Sequence, residues 1–122
     1  MSLDVYLYSD VSQLPEPGQE WESENYYQLY WANITHNLGK MAQAAGCYVA
    51  CWRPEEISPD CRASDIRASL TKAIADMEAR PEHYTQFNSP NGWGTYENFL
   101  PWLKRYEFAC RLNPTAKVRV SR

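Results

Sequence analysis

No apolar run in this 122-residue chain is longer than six residues, Cys47 to Trp52. A membrane-spanning helix needs about 20 such residues, so the sequence offers no span of that kind. A basic excess is missing too. Twelve Lys and Arg stand against fifteen Asp and Glu, a formal charge of −3. That balance argues against a direct nucleic-acid-binding surface and is too mild for an acidic mimic of DNA. The two histidines and four cysteines (Cys47, Cys51, Cys61, Cys110) form no paired CxxC or HxxxH spacing. They are too few and too irregular for a secreted disulfide framework. Cys47 and Cys51, one helical turn apart, could join His36 or Cys61 around zinc, but their apolar setting reads better as buried free thiols. The five glycines form neither a dinucleotide fingerprint nor a phosphate-binding Walker loop. No Ser-His-Asp, Cys-His or two-carboxylate spacing marks a catalytic centre, and no cofactor is implied. Met1 to Tyr8 carries an acid where a secretory signal needs a basic segment, so the expected location is the cytoplasm.

Aromatic residues, by contrast, are plentiful: five Trp, nine Tyr and three Phe. That exceeds what a small core needs and places several rings at a surface or pocket. The chain length fits one domain, residues 1–122. Leu3, Val5 and Leu7 alternate with Asp4, Tyr6 and Tyr8, the period of a strand with one face in the core. The next stretch, Ser9 to Ser23, reads as a loop, broken by Pro15, Pro17 and Gly18 and made acidic by Glu16, Glu20 and Glu22, with Glu24 just beyond. Tyr26 to Ile34 predicts a second strand. Ile34, Leu38, Met41, Ala42 and Ala45 predict a helix capped by Asn33 or Thr35 and ended by Gly46. Cys47 to Trp52 predicts a short buried turn. Ser58 to Arg80 predicts the clearest helix, with Ile66, Leu70, Ile74 and Met77 as its stripe. Pro81 to Phe87 reads as a turn. Thr95 to Leu112 predicts a helix with Phe99, Leu103, Tyr106 and Cys110 inward, which Pro101 either kinks or confines to regular bonding in the part beyond it. Ala116 to Ser121 alternates Val118 and Val120 with Lys117 and Arg119 as a closing strand. The expected fold is α+β, a small and mainly antiparallel sheet of about three strands, in the order β-β-α-α-α-β, against about three helices.

Three segments carry polar groups beside a Trp or a helix start. The first, Asn33, Thr35, His36 and Asn37, crowds a strand-to-helix junction whose free N–H groups attract anions. Capping by Asn33 and Thr35 is the plainer explanation of half of it. The second is Trp52, Arg53, Pro54, Glu55 and Glu56. A guanidinium beside an indole can hold phosphate while the ring stacks, or form only a surface Arg–Glu pair. The third is Asn91, Gly92, Trp93, Gly94, Thr95 and Tyr96, where glycine backbone N–H groups before a helix start suit an anion. Turn geometry accounts for the same residues. Convergence on one pocket gives the site Asn33, Thr35, His36, Asn37, Trp52, Arg53, Glu56, Asn91, Gly92, Trp93, Gly94, Thr95 and Tyr96. Asp4 needs a partner such as His36 or Arg53 if its face is covered, and His83 reads as a surface residue.

The motifs Ser2-Leu3-Asp4-Val5-Tyr6-Leu7, Asn33 to Ala42, Trp52 to Ile57, Asn91 to Glu97 and the closing Val118 to Arg122 resemble a family of small uncharacterised proteins of phages, prophages and bacteria. The match spans nearly the whole chain and departs in the acidic stretch Asp10 to Ser23 and at Pro101. The resemblance supplies no catalytic residues. It implies an accessory gene product in the host cytoplasm, of the kind that counters host defence. Together these features favour a non-catalytic protein that sequesters a small anionic, nucleotide-like ligand, with Trp52 or Trp93 stacking on a base and Arg53 and His36 on phosphate. The alternatives are an inhibitor of a host defence protein acting through exposed aromatics and the acidic loop, and a metal-dependent hydrolase using Asp4, His36, Glu55 and Glu56. A homo-oligomer would use surplus surface rings.

Overall fold

The computed structural model describes residues 2–17, 19–21 and 26–122; Gly18, Glu22, Ser23 and Glu24 of the acidic stretch lie outside the described residues. The fold is α+β. Three strands, β1 (Ser2–Tyr8), β2 (Gln28–Thr35) and β3 (Lys117–Ser121), form an antiparallel sheet in the order β2-β1-β3 among the described residues. Between β2 and β3 run α1 (Gly39–Ala45), α2 (Tyr48–Trp52), α3 (Ala63–Ala79), α4 (Pro81–Thr85) and α5 (Tyr96–Leu112). Single 3₁₀ turns, His36–Leu38 and Pro54–Glu56, precede α1 and follow α2. None of the helices among the described residues is long and apolar enough to cross a membrane.

The period of two in β1 puts Leu3, Val5 and Leu7 on the helix-covered face, where all three are fully buried. Register brings Ile34, Ala32 and Tyr30 of β2 beside them, with Val118 and Val120 of β3. Onto this face pack α3, through Ile66, Leu70, Ala73 and Met77, and α5, through Phe99, Trp102, Leu103, Tyr106 and Cys110. Both long stripes match their predicted spacing, while Ile74 is only partly buried.

Differences from the expected elements have local causes. Ile34 belongs to β2 and packs inward from the sheet, so the predicted first helix starts later, at Gly39. α3 begins at Ala63 rather than Ser58, because the preceding residues line β3. Val118 N–H donates to the Cys61 carbonyl (3.0 Å) and Ala63 N–H to that of Ala116 (2.9 Å). α5 runs unbroken from Tyr96 to Leu112 through Pro101, which is exposed in its second turn, where the missing N–H removes one bond near the helix start. Two predicted turns are short helices, α2 and α4.

The opposite face of the sheet leaves Trp31 and Asn33 exposed but is covered in part, over Tyr6 and Tyr8. Tyr6 and Tyr8 stack there with ring centroids 5.7 Å apart. Trp21 meets the edge of Tyr6 at 5.5 Å and donates its indole N–H to the Tyr8 hydroxyl at 2.6 Å. Part of the aromatic surplus therefore builds a small second layer on this face.

Asp76 near the end of α3 ties α4 down. It accepts from Arg80 (3.1 and 2.6 Å) and from the Tyr84 hydroxyl. The Arg80 bond, then that of Tyr84, holds its carboxyl down at about 2. A depressed carboxylate stabilises the fold above its ordinary value of 3.8 and loses that contribution as pH falls toward 2. Asp76→Asn is therefore expected to flatten the fall of Tm between pH 4 and pH 2, measured by circular dichroism.

Candidate functional site

β2 runs directly into the turn that carries His36. The Thr35 hydroxyl caps that turn, accepting from Asn37 N–H at 3.2 Å. Asn37 Nδ2 donates to the Trp93 carbonyl at 2.8 Å, so the first and third predicted segments meet. They meet closely: a Cβ on Gly94 would lie 3.1–3.3 Å from Asn37, Leu38 and Thr35 at a φ of +111°. Only glycine tolerates both the backbone angle and the contact. The polar atoms here are largely consumed by the turn. Asn91 Oδ1 accepts from Ser89 Oγ (2.6 Å) and Trp93 N–H (2.9 Å). Thr95 Oγ1 caps α5 through Asn98 N–H at 3.3 Å, and Gly92 supplies a second positive φ, +76°. Tyr96 turns to α3, donating to the Met77 carbonyl at 2.8 Å. The Trp93 indole is left 73% exposed.

The second segment joins the first through one partly buried bond. Trp52 Nε1 donates to His36 Nδ1 at 2.9 Å. This makes Nδ1 the acceptor and assigns the ring proton of neutral His36 to Nε2. Trp52 is only 3% exposed. Tyr48 stacks on it at 5.3 Å and Phe99 meets it at 6.5 Å. The indole thus serves the core. Arg53 bonds to Tyr48 and pairs with Glu56 at 3.5 Å. Asn33 faces the outer side of the sheet, where Asp4 Oδ1 accepts from Asn33 Nδ2 (2.9 Å) and Trp31 Nε1 (3.2 Å). The bonding partners of Asp4 are therefore Trp31 and Asn33 rather than His36 or Arg53.

A cleft of about 690 Å³ opens where Pro54 and Glu55 approach β3, and Tyr6, Glu20, Trp21, Arg119 and Arg122 also line it. Arg122 is fixed by Glu55 at 2.9 Å and by the Trp52 carbonyl at 2.8 Å. Arg119, which alternation places opposite Val118 and Val120, lies beneath the chain segment that crosses the outer face and is only 9% exposed. Its Nη atoms donate to the carbonyls of Val118 (2.9 Å) and Pro15 (3.2 Å). Lys117 holds the same segment through the Ser12 carbonyl at 2.7 Å. Among the described residues no carboxylate pairs with Arg119, and its Nε has no hydrogen-bond partner. Burial lowers its pKa, with Asp60 and Glu16 countering from a distance. The sequence does not mark Arg119 as a site residue, because alternation tells which face it takes, not whether that face is covered.

All four cysteines are buried and free. Burial pushes the Cys61 and Cys110 thiols up to about 12, which suppresses the reactive thiolate. Among the described residues no three His, Cys, Asp or Glu side chains are grouped to hold a metal ion. The four proposed hydrolase residues are divided among separate partners: Asp4 with Trp31 and Asn33, His36 with Trp52, Glu55 with Arg122 and Glu56 with Arg53. No protein-family model, curated protein or solved structure matches the chain.

His36→Ala removes the acceptor of the partly buried Trp52 N–H and is expected to cost about 1 kcal/mol in urea unfolding. Trp52→Phe in that background removes the orphaned donor and is expected to recover part of the loss.

Proposed function

We propose that the protein binds and retains, without turnover, a small anionic ligand of nucleotide size in the cleft at Arg119. One observation carries this reading: a buried guanidinium that forms no ion pair among the described residues faces that cleft. Charges inside proteins are normally paired, and an unpaired one is costly. A phosphate or carboxylate entering the cleft would supply the missing counter-charge. Arg122 adds little net charge, since Glu55 neutralises it. The rings of Tyr6 and Trp21 line the same cleft and offer apolar surface to a base. The volume, about 690 Å³, falls within the range usual for small-molecule sites, about 300–1,000 Å³. The resemblance to small phage and bacterial proteins supports the same use, removal of a nucleotide-derived signal by sequestration.

Isothermal titration with inorganic pyrophosphate, adenosine monophosphate and a cyclic dinucleotide tests the reading. At least one is expected to bind, to be recovered chemically unchanged, and to lose at least tenfold in affinity on Arg119→Gln, about 1.4 kcal/mol or more. Arg53→Ala is expected to leave binding intact. Binding lost in Arg53→Ala but kept in Arg119→Gln would move the site to the other segment, and failure of all three probes would contradict the reading.

A further inference from the structure

A second cleft, about 660 Å³ and almost wholly apolar, lies between β2 and the C-terminal half of α5. Its walls include Leu29, Phe108 and Leu112, which are 48%, 51% and 63% exposed. Ile74 and Tyr30 also line it, and Tyr30 stacks on the buried Tyr106 at 5.9 Å. The Trp102 indole N–H donates to the Asn33 carbonyl at 3.1 Å and pins α5 alongside the strand.

The groove borders an open sheet edge. The strand order leaves the outer side of β2 without a neighbouring strand among the described residues. The outer edge of β3 differs, since Cys61–Ala63 bonds along it. Proteins usually blunt an exposed edge with charge, proline or a short strand. Over eight residues, QLYWANIT, β2 has no charged residue, no proline and no glycine, and its pairing with β1 is irregular only between Gln28 and Tyr30.

Charge selects the occupant. Lys104, Arg105 and Arg111 rim the groove on a protein whose formal charge is −3, with Lys104 already paired to Glu78 at 2.9 Å. Glu107, the one acid in the lining, is already shared by Arg67 at 3.0 Å and Arg111 at 3.4 Å. Arg105 has no carboxylate partner among the described residues. A second copy would bring the same cations against these and has no carboxylate in its own β2 to meet them.

We infer that β2 and α5 form a docking surface for an extended acidic segment of a partner protein. The segment adds as a fourth strand on the β2 edge, directs alternate apolar side chains into the groove, and sets its carboxylates against Arg105 and Arg111. This inference does not depend on the Arg119 cleft.

An eight-residue peptide alternating Glu with Val, titrated into isotopically labelled protein, tests it by NMR. Expected are shifts confined to residues 28–33 and 104–112, and at least tenfold weaker binding of the peptide with Lys in place of Glu. Phe108→Glu is expected to weaken binding at least tenfold while the rest of the spectrum keeps its dispersion, as exposure of Phe108 predicts. Arg105→Gln, which leaves the apolar walls intact, should weaken it several-fold. Absence of binding, equal binding of the Lys peptide, or shifts elsewhere would overturn the inference. So would a concentration-dependent dimer abolished by Phe108→Glu, which would assign the face to a second copy.

Discussion

The structure depends on β1 being covered on both faces. Leu3, Val5 and Leu7 are sealed by helices, while Tyr6 and Tyr8 lie under the segment that carries Trp21. An antiparallel sheet commonly leaves one face to water. Here a stretch without regular structure does the covering, and its carbonyls at Ser12 and Pro15 are bound by Lys117 and Arg119 from the far strand. Lys117 ties the cover to β3, and the cover in turn buries Arg119. The proposed ligand site rests on that arrangement.

Much of the helical face is legible in the sequence, because apolar spacing reports directly on burial. The α3 stripe Ile66, Leu70 and Met77 and the α5 stripe Phe99, Leu103, Tyr106 and Cys110 are buried as their periods require. Gly46 ends α1 at a φ of +84°, as its position after the helix implies. Element boundaries near Ile34 and Ser58 are less legible. Both segments are claimed by strand pairing, and that long-range interaction leaves no local trace.

The polar segments show how a recognisable motif can be absorbed by architecture. Asn37, Asn91, Gly94 and Thr95 lie close together, a juxtaposition the sequence does not show, and their polar groups bond to the turn and the helix start. Trp52 and His36 also meet, at the margin of the core. Arg119 followed the opposite course. It occupies the strand position that alternation assigns to the polar face, and only the fold reveals that this face is closed. A buried cation without an ionic partner stands out against the seven ion pairs found among the described residues, all formed by other cations.

If Arg119 is kept for a ligand rather than for the fold, the free protein bears the cost of burying it. Thermal unfolding of Arg119→Met in the absence of ligand tests that claim directly. Methionine preserves the apolar stem and removes the charge. The account predicts an unchanged or higher Tm. A fall of more than about 5 °C, on the order of 1 kcal/mol or more for a domain of this size, would show that the guanidinium holds the covering segment in place and would contradict the account.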